Sequence, residues 1–371
     1  MKRLIFCILI CCLLLHGCGK TDPNMWEQAP IPFDQRSFGN MGFLETDFAD
    51  YCVMWPETGN LAFIHVAPKG SDTFVPLCSK PNCTHDTSDC HAACIPGGGL
   101  GYCGQRLYTI DDNGGYGVVS MRPDGTDRQS EGKIPDPVHS DGTQGGSYQF
   151  TFHEKWLLIL YDPSENLPLE EQVERFYVMD LQTGAMQEPF QGFFTEKVSI
   201  GGIICPVGSL IYAEAYFRDD SGAVENWWIS MDMETGTVKK LLACENPVPF
   251  QVEDGVFYYQ LPGGSFMEYD LKTGKTTDRG LPVPEAVGSM KIDGDLIYTF
   301  TNDGSLEKSD FTMYFLNRDY EVLDQIRLGE GVRPFCVDKE YCYFVATGST
   351  KLCYRLQKSK IGTGQLALLP I

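Results

Sequence analysis

One turn pattern returns along this chain and constrains it more than any other feature. It reads Asp-x-x-Thr-Gly, in MDLQTG ending at Gly184, MDMETG ending at Gly236 and YDLKTG ending at Gly274. Looser copies are HVAPKG ending at Gly70, SMRPDG ending at Gly125 and LNRDYE around Asp319. Glycine supplies the positive φ that such a turn needs, and the Asp side chain caps the turn from within. Upstream of each turn a polar tip opens an aromatic run: GQRLYTID, HEKWLLILY, VGSLIYAEAYF, EDGVFYYQL, DGDLIYTFT and DKEYCYFVAT. These runs are short, β-branched or aromatic, and punctuated by Gly, Asn, Asp and Pro, which is strand composition. Helix-forming composition is confined to Leu167–Phe176 (LPLEEQVERF).

Each repeat therefore holds a strand, a tip, an aromatic strand, a turn strand and a short polar strand. Four strands on a period of roughly forty to sixty residues predict an all-β chain folded as a β-propeller. Seven four-stranded blades are expected, at about 41–78, 95–134, 147–190, 198–243, 248–281, 286–328 and 332–371. Six or eight blades are the alternatives, because the first and last units are the least regular. The terminal run GQLALLPI is either the outer strand of the last blade or a ring-closing strand shared with the first.

Leu77 to Cys94, LCSKPNCTHDTSDCHAAC, breaks the monotony with four cysteines and two histidines. Cys78, Cys83, His85 and Cys90 are spaced Cys-x4-Cys-x-His-x4-Cys. Three thiolates and an imidazole at such spacing suit one tetrahedral Zn²⁺, or Fe²⁺ by ligand softness. Pro81-Asn82 can turn the chain back, and an extended backbone would point Cys83 and His85 to one side. Cys94, His91 and Cys103 are spare ligands. Disulfides are the competing reading, since exported cysteines often pair. Outside the first eighteen residues, however, eleven cysteines remain, an odd number. Cys52, Cys205, Cys336, Cys342 and Cys353 lie in apolar runs and read as small buried hydrophobes. Four protein ligands would leave no open position, so a structural staple is expected; if Cys90 is not a ligand, a water position opens.

The N-terminus reads as an export signal over 1–17, with Lys2 and Arg3 before the apolar stretch Leu4–Leu15. The stretch is short for a bilayer span. Leu15-His16-Gly17-Cys18 resembles a bacterial lipobox, which implies a lipid on Cys18 and anchoring on the outer face of a membrane. Residues 18–40 are polar and proline-bearing, a flexible tether. The propeller, with its Cys/His-rich insert at 77–103, occupies 41–371.

VVSMRPDGTDRQ resembles the TolB-like and DUF5050-type propellers, in which a similar strand precedes Asp-Gly-Thr. LCSKPNCTH resembles a Cys/His segment carried between two blades by lipoproteins of that type. The Asp-x-x-Thr-Gly turns are also similar to quinoprotein repeats. The blade-docking tryptophan of those repeats is missing from AMQEPF, TVKKLL and KTTDRG, so no quinone is expected. WD40 and kelch signatures are absent.

The formal charge is −21, from 50 acidic and 29 basic residues. This excludes the basic footprint of nucleic-acid binding and basic docking on anionic lipid. No nucleophile elbow, zinc-protease helix, Walker loop or dinucleotide fingerprint is present. His65, His139 and His153 stand alone and read as structural or surface residues. Asp111-Asp112-Asn113-Gly114-Gly115 lacks EF-hand spacing and reads as a hairpin loop. Trp227-Trp228 sits in a strand, one ring to each side; core packing is favoured over a sugar platform. The glycine-rich loop 135–147 is a candidate lip. The expected function is non-catalytic: a cell-surface binding or scaffold propeller for a protein, peptide or glycan. The alternative is an extracytoplasmic hydrolase or lyase with its site at the central channel.

Overall fold

The computed structural model describes residues 42–54, 61–69, 71, 73–112, 115–135, 146–201, 205–243, 248–261, 265–280, 283, 290–302, 311–346 and 352–371. The expected export signal and tether, Cys18, Gly70, Asn113, Gly114, His139, Cys244 and most of loop 135–147 lie outside the described residues.

Seven antiparallel sheets follow one another along the chain as a seven-bladed β-propeller, as the repeats predict. The first blade holds β1 (Phe43–Glu45), β2 (Ala49–Met54), β3 (Ala62–Pro68), β4 (Val75–Pro76) and β5 (Ala93–Cys94). The second holds β6 (Gly101–Cys103), β7 (Arg106–Asp112), β8 (Tyr116–Met121) and β9 (Gln129–Lys133). The third holds β10 (Gly146–His153), β11 (Trp156–Pro163), β12 (Arg175–Asp180) and β13 (Met186–Gln187). The fourth holds β14 (Val198–Ile200), β15 (Cys205–Val207), β16 (Leu210–Arg218), β17 (Val224–Asp232) and β18 (Val238–Ala243). The fifth holds β19 (Val248–Glu253), β20 (Val256–Gln260), β21 (Phe266–Asp270) and β22 (Thr276–Gly280). The sixth holds β23 (Lys291–Asp293), β24 (Leu296–Asn302), β25 (Phe311–Leu316) and β26 (Val322–Arg327). The seventh holds β27 (Val332–Val337), β28 (Tyr341–Ala346), β29 (Leu352–Gln357) and β30 (Leu369–Pro370). In two blades one strand position is shared by two half-strands: β14 and β15 both pair β16, and β4 and β5 both pair β3.

The turns form for the reason the sequence implies. Asp180 Oδ1 accepts the N–H of Gln182 and Thr183 at 2.9 and 3.0 Å. Asp270 Oδ1 accepts those of Lys272 and Thr273 at 2.9 and 2.7 Å, and Asp232 Oδ1 accepts that of Glu234 at 3.0 Å. Gly184, Gly236 and Gly274 stand at φ 71°, 67° and 69°. In the copy around Asp319 the capping side chain is Asn317, whose Oδ1 accepts the N–H of Asp319 and Glu321 at 3.0 and 2.9 Å. Leu167–Phe176 forms only a 3₁₀ turn, Leu169–Glu171. Arg175 is already committed to a strand opposite Tyr161, so the segment is too short for a helix. No helix among the described residues is long and apolar enough to cross a membrane.

The core lies between blades. Leu158, Phe176 and Phe190 of the third blade pack with Ile211, Ile229 and Met231 of the fourth. Trp228 of the fourth, 1% exposed, tilts onto Phe257 of the fifth at 4.8 Å. Trp227 is half-buried under Lys240, whose Nζ lies 4.7 Å from the ring, and it donates to Glu225 at 3.2 Å. Core packing, the favoured reading of the tryptophan pair, holds for Trp228.

The terminal run is the outer strand of the seventh blade, β30 on β29. Among the described residues, no strand is exchanged between the first and last blades. Side chains close the ring: Phe43 meets Phe335 edge-on at 6.5 Å and Tyr343 at 5.9 Å. Lys339 adds an ion pair to Asp47 at 3.3 Å.

Glu174 links the third blade to the fourth by accepting the Ile200 N–H at 2.8 Å. Burial pushes its carboxyl up to about 7, against the opposing pull of that N–H. A folded pKa raised above the unfolded value contributes stability in acid that is lost as pH rises through 7. Wild type should therefore lose up to about 3 kcal/mol relative to Glu174→Gln between pH 4.5 and 7, measured by urea unfolding across that range. A parallel pair of curves would refute this. A Cβ on Gly236 would sit 2.4 Å from the Pro189 carbonyl, whereas one on Gly208 meets nothing within 4 Å. Gly236→Ala should cost about 2 kcal/mol or more and Gly208→Ala about 1 kcal/mol, read from thermal unfolding.

Candidate metal centre

The Cys/His insert interrupts the outer strand of the first blade. β4 pairs His65 and Val66, then β5 rejoins the same strand opposite Ala62 and Phe63. Between them the chain bulges outward. Leu77, 3% exposed, pins the exit, and its N–H bonds the Ile64 carbonyl at 2.8 Å. Cys90 N–H closes a turn on Thr87 O at 3.1 Å, and Ala93 N–H closes the next on Cys90 O at 3.1 Å.

Cys78, Cys83, His85 and Cys90 come together. Their ligand atoms all lie within 4.8 Å of one another. The route differs from the extended segment expected. Asn82 and His85 both take left-handed φ, 58° and 56°. Asn and His tolerate that region better than most residues. These two reversals, rather than strand alternation, aim the side chains inward.

The donor set fits a metal. A tetrahedral zinc with sulfur at ~2.3 Å sets its ligand atoms about 3.7 Å apart, so an ion would draw this cage in by about 1 Å at most. His85 Nδ1 already lies 3.4 Å from Cys90 Sγ. Burial, then the neighbouring thiols of Cys78 and Cys83, push Cys90 up to about 12, against the Ala92 N–H. Burial also works against a Cys78 thiolate. The N–H groups of Lys80 and His91, with the Cys90 and Cys83 thiols, outweigh it, so the Cys78 pKa is lowered. Three crowded thiols cannot all ionise alone; a dication would resolve this, and the N–H donors are of the kind that support metal-bound sulfur.

The spare candidates lie elsewhere. Cys94 is buried in the core on β5, hydrogen-bonded with Thr109, and burial pushes it up to about 12. His91 Nδ1 lies 2.9 Å from Ser79 Oγ. Cys103 is on β6, in the seam between the second and third blades. No disulfide joins the described cysteines. Cys52, Cys336 and Cys342 are fully buried, while Cys205 and Cys353 are half-buried. His65 Nδ1 lies 3.0 Å from Phe63 O, and His153 is buried beside Glu154. Asp111 and Asp112 close a β7–β8 hairpin, as expected.

Sequence reasoning missed what fastens the insert to the second blade. Arg128 donates to the His91 carbonyl at 2.7 Å and to Asp111 Oδ2 at 2.8 Å. Ser79 Oγ donates to Gly125 O at 3.3 Å, and a Cβ on Gly125 would strike the Leu77 carbonyl at 2.8 Å. These partners are remote in sequence and carry no local signal. Only the Asp-Gly turn at Gly125 was marked at all.

Fold and site together define a seven-bladed propeller carrying a Cys3His cage on its outer edge. No protein-family model and no curated protein matches the chain. Solved structures do match. Oligogalacturonate lyase in complex with manganese is 12% identical, TM-score 0.51, over 86% of this chain and 94% of that one. The acylaminoacyl peptidase of Pyrococcus horikoshii is 11% identical, TM-score 0.52, over 92% of this chain and 54% of that one. TolB from Acinetobacter baumannii is 13% identical, TM-score 0.40; 76% of this chain is covered, and it spans 62% of that TolB chain. At such identities the lyase and the peptidase establish the propeller fold alone.

Metal analysis of chain prepared under reducing conditions should find one zinc per chain, lost in both Cys83→Ser and His85→Ala. Chelation should destabilise wild type by about 3 kcal/mol, the scale of a crosslink closing a loop near fifteen residues. Absence of stoichiometric metal from wild type would end the assignment.

Proposed function

We propose that this chain is an exported lipoprotein whose propeller binds a protein, peptide or glycan outside the cytoplasm and does no chemistry on it. A lipid on Cys18 holds it to the outer face of a bacterial membrane, and residues 18–40 space the ring from the surface. Leu15-His16-Gly17-Cys18 and the apolar stretch before it support the anchor. The VVSMRPDGTDRQ strand and turn support kinship with TolB-like and DUF5050-type propellers.

The observation that carries the non-catalytic reading is the convergence of four protein donors on one point. Four ligands fill a tetrahedral ion, and a catalytic zinc keeps one position open. The cage therefore holds one structural Zn²⁺, with Fe²⁺ the second choice, and its role is to staple the insert. A hydrolase or lyase centred on the channel is the alternative. Against it, none of the four described histidines bonds both a nucleophile and a carboxylate among the described residues. A rigid ring presenting loops suits binding instead.

Two measurements test the proposal. Cys18→Ser should move the protein from the membrane fraction to the aqueous one. Crosslinking pull-down from the native envelope should recover a saturable partner that competes with unlabelled chain. Retention of Cys18→Ser on the membrane, or turnover of an envelope polymer by the purified chain, would overturn it.

A further inference from the structure

A cleft walled partly by the insert holds none of the four cage residues. Ile95 and Pro96, just past the insert's return strand, face the β7–β8 hairpin of the second blade. Leu61, Asp111, Asp112 and Tyr116 also line it, with Ser88, Ala93 and Cys94 of the insert, and the volume is 280 Å³. That is at the small end for ligand pockets and suits one long side chain better than a cofactor.

Its chemistry is graded. Its apolar lining includes Leu61, Ile95 and Pro96. Among the polar lining residues, Asp111 is matched by Arg128 at 2.8 Å. The carboxylate of Asp112, the next residue, makes no ion pair or hydrogen bond among the described residues. Tyr116, also in the lining, is 37% exposed. Its ring is held edge-on by Tyr148 at 5.1 Å and by Phe150 at 5.8 Å, so the ring is braced. An aliphatic stem would lie on the apolar lining, and a cationic head would meet the Asp112 carboxylate and the Tyr116 ring. The formal charge of −21 also attracts a cationic ligand.

We propose that this cleft is the recognition subsite for a lysine or arginine side chain of a peptide ligand. The inference rests on the binding reading above and names the ligand chemistry for it. Full-length, metal-loaded chain in detergent is titrated with Ac-Gly-Arg-Gly-NH2, Ac-Gly-Lys-Gly-NH2 and the uncharged citrulline analogue, by calorimetry at low ionic strength. The basic peptides bind, and citrulline binds about tenfold weaker or less. Asp112→Asn produces about the same loss for the arginine peptide. Tyr116→Ala weakens both basic peptides, with circular dichroism reporting an intact fold. Equal binding of arginine and citrulline, no binding of the basic peptides, or unchanged binding in Asp112→Asn overturns the subsite. The envelope pull-down, repeated with Asp112→Asn as bait, separates the two levels. Equal capture by both baits overturns the subsite and leaves the binding reading in place. Weaker capture by the variant supports the subsite. Failure of wild type to capture anything overturns the binding reading itself.

Discussion

Side-chain packing across the seams between blades holds this molecule together. A four-stranded sheet has two apolar faces and cannot bury either by itself. Here each pair of neighbouring blades shares a cluster of buried residues. The seam between seventh and first blades differs only in joining the two ends of the chain. Phe43, Cys52, Phe335, Tyr343 and Leu352 fill it. Among the described residues no strand crosses that seam, and burial of these rings, with the Lys339–Asp47 ion pair at the edge, holds its two sides together. Every other seam is also covalently continuous, so this one bears the full entropy of closing a long loop.

The metal centre follows from the same geometry. An outer strand has one free edge, so it can be interrupted without breaking a seam. The first blade is interrupted there, with β4 and β5 taking two short stretches of β3 and the insert leaving between them. The bulge has few backbone hydrogen bonds of its own. What orders it is the four-ligand cage on one side and, on the other, the grip of Arg128, Ser79 and the Gly125 turn on the second blade. Cys90 and Cys94 illustrate the division. Both are buried, but Cys90 faces the cage and Cys94 belongs to the core that β5 completes.

Much of this was legible in the sequence because it is local. An Asp that caps N–H groups two and three residues ahead leaves its signature within one turn, as at Asp180 and Asp270. The blade count followed from counting such turns with their aromatic strands. The ligand set was legible through the spacing of Cys78, Cys83, His85 and Cys90. Less legible were choices between chemically equal neighbours. Asn317 caps a turn around which Asp319 looked central. Leu167–Phe176 has helical composition but is held as a connection between two paired strands.

The sequence alone determined the repeat, the strand order within each unit and the four residues able to share a metal, since these depend on side chains and turns within a few residues of one another. The tertiary structure decided what depends on distant partners. It kept the spare candidate Cys94 out of the cage, because pairing of Ala93 and Cys94 with β3 turns Cys94 into the core. It placed Arg128 and Gly125 under the insert, brought Phe43 against Phe335 at the closing seam, and set the terminal run on β29 within the seventh blade. Each of these is a contact between segments far apart in the chain, brought together when the blades stack.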